Sequence, residues 1–208
     1  AKLELAAKRI AFGKLLNCGQ TCVAPDYILV ERSVKDEFLV YLKKWIVRMY
    51  GADATENDAY VKMINQKHFD RVTGLIDPEK VIFGGGRNER TMQIQPTILD
   101  DVTAEDAVMQ EEIFGPIFPI LPVDSMAEAE EFICKREKPL ALYLFTQNKA
   151  LAERFLRYVP CGGGCINDTI IHLATSRMGF GGVGGSGMGS YHGKKSFETF
   201  SHEKSIVN

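Results

Sequence analysis

The sequence predicts an α/β fold with three layers, in which a largely parallel β-sheet is flanked by helices. Aliphatic runs of strand composition alternate along the chain with amphipathic segments of helical spacing. This alternation requires crossover connections and a sheet that is covered on both faces. No internal repeat or long linker divides the 208 residues, and the 45% hydrophobic share is typical of an ordinary globular protein. We therefore predict one domain.

The N-terminal part contains the first three elements of this alternation. Helical spacing predicts a helix that ends near Leu16, with Lys14 among the charged residues between its apolar positions. The run YILVE after Pro25 has strand composition. Ser33 is suited to cap a long amphipathic helix, and Gly51 is suited to end it.

The middle of the chain repeats the pattern. We predict a helix from about Tyr60 to Ile76, followed by the strand KVIF and the extended run MQIQPTIL. Pro96 lacks a backbone N–H, so it favours the edge of a sheet for this run. The segment PIFPILPV reads as a further strand.

The last third begins with a helix over SMAEAEEFICKR, in which Ser125 and Glu128 have the spacing of a capping box. A strand over ALYLFT and a helix over NKALAERFLRYV follow. From Cys161 onward the chain is rich in glycine, and the stretch MGFGGVGGSGMGS predicts a long loop before a short helix or turn at KKSFETF.

Composition excludes several classes of function. The 25 basic and 27 acidic residues leave a charge of −2, which provides no field for gathering nucleic acid or an anionic membrane. No run of roughly 18 apolar residues could span a bilayer. Five cysteines are an odd number in a chain too long to need disulfides, which favours a reduced, cytoplasmic protein. The chain begins without Met inside a predicted helix, which indicates a piece of a longer protein.

Two further patterns have the spacing of binding sites but lack the required context. Cys18 and Cys22 repeat the spacing of Cys161 and Cys165, but structural zinc sites place their second pair much nearer, so we predict no metal site. The other pattern is G-x-G-x-x-G, formed by Gly182, Gly184 and Gly187. It lacks the preceding strand and the following helix of a dinucleotide fingerprint, so a tightly turned surface loop is the favoured interpretation.

The stretches NCGQTC and MQEEIFGP carry the functional prediction. Taken alone, the first describes a small buried cysteine and the second a solvated pair of glutamates. However, GQTC, APDYILVE, QPTILDDV, VMQEEIFGPI, KPLALYLF and FGGVGGSGMGSYHGKKSFETFSH occur in that order. This ordered set resembles the aldehyde dehydrogenase superfamily over nearly the whole chain. It is most similar to the dimeric branch that oxidises fatty or aromatic aldehydes with NAD or NADP.

The resemblance implies a set of site residues. Cys22 closes G-Q-x-C and corresponds to the catalytic nucleophile, whereas Cys18 is a bystander. Glu112 and Phe114 match the residues that hold the nicotinamide ribose and flank the nicotinamide ring. Phe180 resembles an aromatic residue that lines the substrate tunnel, although a phenylalanine packed under the glycine loop is an equal alternative.

The resemblance also implies what lies outside the chain. Residues 1–208 correspond to the catalytic domain, and the cofactor-binding domain and part of the oligomerisation segment are expected upstream or beyond. The general base of the family lies in an L-E-L-G-G segment, but AAK follows the LEL of this chain, so Glu4 is not that base. The implied partners are an aldehyde, the cofactor domain of the same polypeptide and a second copy in a homodimer. The implied reaction is NAD(P)-dependent oxidation of the aldehyde to an acid through a cysteine thioester, and the chain alone is expected to be inactive.

Two other functions remain open from the residues alone. Cys22 could act with a histidine in an acyl-transfer or thioesterase domain, and the candidates are His68, His172, His192 and His202. Alternatively, the cysteines only pack, and the chain is a non-catalytic interaction module.

Overall fold

Strand β6 is the buried centre of the main sheet and determines how the other strands are arranged. The computed structural model describes residues 1–208. In chain order, the helices are α1 (Leu3–Leu15), α2 (Arg32–Tyr50), α3 (Gln66–Gly74), α4 (Met126–Cys134), α5 (Lys149–Tyr158) and α6 (Lys194–Thr199). The strands are β1 (Ile28–Glu31), β2 (Val81–Phe83), β3 (Arg87–Asn88), β4 (Gln93–Ile94), β5 (Thr97–Leu99), β6 (Ile117–Val123), β7 (Ala141–Leu144) and β8 (Gly163–Ile166).

The chain forms two compact units, Ala1–Glu131 and Phe132–Asn208. In the first unit, the strand order is β1-β6-β5-β2. Strand β6 pairs in parallel with both β1 and β5, and β2 pairs antiparallel with β5. Helix α2 packs against β1 and β6 and against α1. This mixed, mostly parallel sheet flanked by helices confirms the predicted α/β class, whereas the single catalytic domain over 1–208 stays a prediction.

The second unit contains a parallel pair, β7 and β8. The carboxamide of Asn167 extends this pair, because it accepts from the N–H of Thr146 at 2.9 Å and donates to its carbonyl at 2.8 Å. Strand β8 lies in the glycine-rich part after Cys161, where the sequence analysis named no strand. Gly164 approaches β7 so closely that a side chain would not fit at this position.

Several predicted ends agree with the structure. Helix α1 ends one residue before Leu16, and Gly51 follows α2 with a φ of 90°. Helix α6 covers the predicted C-terminal helix. The Oγ of Ser125 accepts from the N–H of Glu128 at 3.2 Å, as in a capping box. The Glu128 carboxylate accepts from the N–H of Asp124 instead of that of Ser125.

Two helix starts were predicted wrongly. Ser33 does not cap α2, because β1 runs directly into the helix and the extended Glu31 is both the last strand residue and the cap. Helix α3 begins after Asn65, whose side chain accepts from the N–H of His68, and not near Tyr60. Tyr60 lies outside the helix but is buried, and its hydroxyl donates to the carbonyl of Ile94 at 2.8 Å.

The predicted role of Pro96 was also wrong. The residue separates β4 from β5, and β5 lies inside the main sheet between β6 and β2. The missing N–H is accommodated at the break between two strands and not at a sheet edge. None of the helices in the chain combines the length and apolar character that crossing a bilayer requires.

We expect Gly164→Ala to destabilise the second unit by about 3 kcal/mol or more, since overpacking of this kind forces the backbone to move. A Cβ at Gly164 would lie 1.8 Å from the carbonyl oxygen of Leu142 on β7. The matched control is Gly163→Ala, whose Cβ would meet only the ring of His172, at 3.4 Å from the nearest atom. Urea unfolding followed by circular dichroism measures both variants. Equal midpoints for the two variants would contradict the close approach of β8 to β7.

Candidate active site

Cys22 lies on an exposed turn that directly follows an unusual end of α1. Asn17, Cys18 and Gly19 have φ values of 53°, 57° and 73°, so three consecutive residues adopt the left-handed conformation. For the two residues other than glycine, this conformation costs roughly 1–2 kcal/mol each. The chain then turns again, because the N–H of Ala24 donates to the carbonyl of Thr21 at 2.9 Å. The exposed Cys22 is the second residue of that turn.

Gln20 fastens this segment to a neighbouring loop. Its side-chain oxygen accepts from the N–H of Ile64 at 2.9 Å, and its side-chain nitrogen donates to the carbonyl of Lys62 at 3.1 Å. The same nitrogen donates to the carbonyl of Asn17 at 3.1 Å, and the Asn17 side chain donates to the carbonyl of Gln20 at 3.0 Å. The carboxamide therefore replaces a peptide group in holding two backbone segments together, two residues before Cys22.

The NCGQTC segment lies against the EEIFGP turn. A Cβ placed on Gly19 would be 2.3 Å from the carbonyl oxygen of Gly115, so only glycine permits this approach. At the other end of the cysteine loop, the carboxylate of Asp26 accepts from the N–H of Ile113 at 3.1 Å. Cys22 stands between these two contacts in sequence. The two motifs that the sequence singled out are thus parts of one surface.

Glu112 and Phe114 are both exposed on this surface, and the phenylalanine is 37% exposed. Phe114 has a φ of 49°, which is uncommon for a bulky residue. Partial burial raises the pKa of the Glu112 carboxyl, and the charge of Asp26 raises it further. The positive charges of Lys14 and Arg71 oppose both effects.

Lys14 is the largest fully buried polar residue near this surface. Its side chain is 1% exposed, and burial lowers its pKa from 10.5 to about 8 against the opposing charges of Asp26, Cys18 and Glu112. Lys14 follows Ala7 and Ile10 on the buried side of α1, so the prediction that it lies on the polar face was wrong. An amine with this pKa is partly neutral near neutral pH, beside the cysteine loop.

Cys18 has an environment opposite to that of Cys22. It is fully buried, and its Sγ lies 3.4 Å from the hydroxyl of Tyr60. Burial raises the pKa of the Cys18 thiol to about 11, although Tyr60 and Lys14 favour the thiolate. This thiol stays protonated near neutral pH, which agrees with its predicted role as a bystander.

Phe180 belongs to the second unit, where it contacts other aromatic rings. Its ring stacks on His192 with centroids 5.5 Å apart and meets Tyr191 edge to face at 5.7 Å. The backbones of Phe180 and Tyr191 exchange two hydrogen bonds. The tilted ring of His172 lies 5.9 Å away, and its Nδ1 is 3.7 Å from the Sγ of Cys165. A role for Phe180 toward a substrate stays a prediction.

The other candidate motifs take simple forms. Gly184–Ser186 forms a short 3-10 turn, and the next helix begins only at Lys194, so the glycine pattern does not open a helix as a dinucleotide fingerprint does. Across the chain, no group of three or more His, Cys, Asp or Glu side chains is arranged to hold a metal ion.

The structure adds four residues that the sequence analysis did not recognise: Lys14, Gln20, Asp26 and Arg71. For Lys14 a signal existed, because a lysine four residues after Ile10 falls on the apolar face of a helix. The other three act on backbone groups 41 to 87 residues away in sequence. No local pattern carries that information.

Comparison with known proteins identifies the family. The model described as "Aldehyde dehydrogenase family" matches residues 1–206. The chain is 50% identical over 209 residues to 4,4'-diaponeurosporen-aldehyde dehydrogenase of Staphylococcus aureus, covering 100% of this chain and 46% of that protein. It is 51% identical over 205 residues to the dimeric NADP-preferring aldehyde dehydrogenase of Rattus norvegicus, covering 99% and 45%. The chain therefore belongs to the aldehyde dehydrogenase family.

A solved structure agrees with this assignment. The substrate-bound state of Staphylococcus aureus AldH matches with a TM-score of 0.96 at 50% identity, over 98% of this chain and 45% of that chain. The predicted resemblance is thereby confirmed. The chain spans about half the length of these relatives.

We expect Lys14→Met to stabilise the protein most at neutral pH. The folded state favours the neutral amine, so the unfolded chain binds more protons between about pH 8 and pH 10.5, and the free energy of unfolding rises with pH in this window. Below it, the charged amine costs roughly 3 kcal/mol, which the methionine variant recovers.

Urea unfolding of both proteins from pH 6 to pH 10.5 measures the difference, which should shrink by about 1.4 kcal/mol per pH unit above pH 8. The control is Lys67→Met on the exposed face of α3, for which the difference from the parent should not vary in this manner. A pH-independent effect of Lys14→Met would show that the buried amine is not perturbed.

Proposed function

We propose that the complete protein oxidises an aldehyde to a carboxylic acid with NAD or NADP, and that Cys22 is its nucleophile. The observation that carries the proposal is the position of Cys22, on a loop whose ends contact Gly115 and the N–H of Ile113. The exposed residue Cys22 therefore lies in the same surface as the exposed Glu112 and Phe114. Membership of the aldehyde dehydrogenase family supports this assignment.

Sulfur chemistry at Cys22 accounts for the reaction. The thiolate forms a bond to the carbonyl carbon of the aldehyde, and the resulting tetrahedral adduct carries a negative oxygen. Loss of hydride from the adduct restores the carbonyl as a thioester. Water then attacks the thioester carbon, which releases the acid and regenerates the Cys22 thiol. A serine at this position would be a poorer nucleophile near neutral pH and would leave a less reactive ester.

The backbone of Cys22 can stabilise the negative oxygen. Its N–H donates to no acceptor within the protein, so it remains free to donate to an oxyanion formed beside Sγ. The turn from Thr21 to Ala24 and the fastening by Gln20 fix this N–H before any substrate binds. Such fixed donors cost no reorganisation during the reaction.

The residues on the EEIFGP turn fit a nicotinamide cofactor. The exposed Glu112 carboxylate can accept hydrogen bonds from ribose hydroxyls, and the partly exposed ring of Phe114 offers an apolar face that excludes water. When bound, NAD or NADP accepts the hydride. The role of this chain is to orient the cofactor through these two residues and to present Cys22.

The rest of the machinery is proposed to lie outside these residues. A segment of the same polypeptide would provide most of the cofactor contacts, the general base for thioester hydrolysis and a second oxyanion donor. The relatives' length agrees with such a segment, since the chain covers 45 to 46% of two of them. We further propose a cytoplasmic homodimer in which Phe180 lines the path of the substrate.

We expect Cys22→Ala in the full-length protein to lower kcat by about 10⁴-fold or more, because no other group replaces the nucleophile. The control is Cys134→Ala, which removes another exposed thiol and should leave kcat unchanged. Steady-state formation of NAD(P)H with an aldehyde measures both variants. Substantial activity in Cys22→Ala would remove the basis of the proposal.

The 208-residue chain by itself is expected to show no turnover with an aldehyde and NAD or NADP. It lacks a residue in the position of the general base, so any thioester formed on Cys22 should be hydrolysed slowly. Absorbance at the wavelength of NAD(P)H measures turnover. Multiple turnovers by this chain alone would contradict the proposed division of work.

A further inference from the structure

The backbone of Ile113, the residue between the two cofactor residues, is held at its N–H and at its carbonyl by opposite charges. Ile113 separates Glu112 from Phe114, and its side chain is fully buried. Its N–H donates to the carboxylate of Asp26 at 3.1 Å. Its carbonyl accepts from the guanidinium of Arg71 at 2.5 Å. Bonds to charged groups are about twice as strong as those between neutral groups, so the two peptide groups that flank Ile113 are firmly placed.

Arg71 makes further contacts with the same turn. Its other terminal nitrogen donates to the carbonyl of Glu112 at 3.3 Å and to the carboxylate of Glu111 at 3.1 Å. The planar guanidinium thus spans consecutive backbone carbonyls, which a lysine ammonium cannot do in the same geometry. The arginine side chain is 23% exposed, so its bonds are partly shielded from water.

These contacts come from two separate elements. Arg71 lies in the last turn of α3, and the next residue, Val72, fills the space beside Gly115. Asp26 lies between Cys22 and β1. The turn is therefore bonded to helix α3 on one side and to the cysteine loop on the other.

The conformation of Phe114 requires such support. A left-handed φ of 49° costs roughly 1–2 kcal/mol for a residue of this kind and persists only where neighbouring contacts determine it. The bonds to the backbone N–H and carbonyl of the adjacent Ile113 restrict the torsions on the N-terminal side of Phe114. Without them, the ring would be free to leave the face where it is proposed to meet the cofactor.

We infer that Arg71 and Asp26 are positioning residues for cofactor binding, which act through the backbone of Ile113 to place Glu112 and Phe114. This inference rests on the proposed function, because it assigns a purpose to the same surface. Neither side chain needs to touch the cofactor.

The same two residues carry charges that face Glu112, together with Lys14 from α1. The negative Asp26 raises the pKa of the Glu112 carboxyl, whereas Arg71 and Lys14 lower it. Ionised Glu112 is the form that accepts ribose hydrogen bonds, so affinity for the cofactor falls as pH falls through this pKa. Removing the charge of Asp26 should allow cofactor binding at lower pH than in the parent. Removing the charge of Arg71 should cause binding to be lost at a higher pH than in the parent.

The experiment compares Arg71→Met, Arg71→Lys, Asp26→Leu and Asp26→Asn in the full-length protein. Fluorescence titration with NADH and NADPH gives the dissociation constant from pH 4 to pH 9, and steady-state kinetics give the cofactor KM and kcat. Thermal unfolding and the rate of Cys22 alkylation by iodoacetamide report on the fold and on the nucleophile. Arg32→Met is the control, because it removes the same charge from an exposed ion pair with Asp124 that lies away from the turn.

We expect Arg71→Met and Asp26→Leu to raise the cofactor dissociation constant by about 10- to 100-fold at pH 7. Arg71→Lys keeps the charge but loses the planar guanidinium with its two donor nitrogens, so we expect an intermediate rise in the dissociation constant. Asp26→Asn keeps an acceptor for Ile113, so its affinity at pH 7 should stay within about threefold of the parent while its acidic limit shifts downward. Cys22 alkylation and the Arg32→Met control should remain near the parent values.

This design distinguishes failure of the proposed function from failure of the inference alone. Failure of the parent protein to bind either cofactor would end the proposed function. Normal binding by the parent, with unchanged affinity in Arg71→Met and Asp26→Leu, would overturn only the inference. A purely structural role would also overturn it, and would appear as parallel losses of thermal stability, affinity and Cys22 reactivity that Asp26→Asn and Arg71→Lys do not relieve.

Discussion

The candidate site depends on one close contact between two backbones. Gly19 meets the carbonyl of Gly115 at a distance that no side chain on residue 19 would allow. The contact joins the end of α1 to the turn that precedes β6, and β6 is the centre of the main sheet. The loop that carries Cys22 is thereby held against the turn that leads into a central strand of the main sheet. Every chemical role proposed for Cys22 relies on that fixed position of the loop.

Local strain and local bonding are balanced around this contact. Asn17 and Cys18 adopt left-handed conformations that disfavour the segment on its own. Gln20 offsets that cost by bonding to Lys62 and Ile64, and the buried Cys18 lies against Tyr60. Strained backbone that is held by its surroundings is common at functional sites. Here the surrounding bonds come from the irregular segment 60–64, which explains why that segment is not the start of α3.

The sequence supported the fold class and the main elements, because strand composition, helical spacing and stop signals such as Gly51 act locally. It failed where a neighbour distant in sequence decides the outcome. Pro96 was assigned to an edge because its missing N–H is a local property, but its surroundings place it at a break between strands. Lys14 was assigned to a polar face because charge is usually solvated, but tertiary packing buries it.

The candidate site shows the same division. Cys22, Glu112 and Phe114 could be chosen because their motifs resemble those of a known family, and their roles remain predictions. The spacing of the two motifs in the sequence could not show that they share one surface, because 90 residues separate Cys22 from Glu112. Asp26 and Arg71 were overlooked for a related reason: each bonds to main-chain atoms, and main-chain atoms leave no trace in a sequence motif.

The fastening of the cysteine loop by Gln20 has a consequence for measurements across pH. A carboxamide neither gains nor loses a proton in the range where enzymes are assayed, so its bonds to Lys62 and Ile64 persist while the nearby Lys14 amine titrates around pH 8. Acid and base therefore leave the attachment of Gln20 to segment 60–64 intact, so this end of the cysteine loop keeps its place across the pH range.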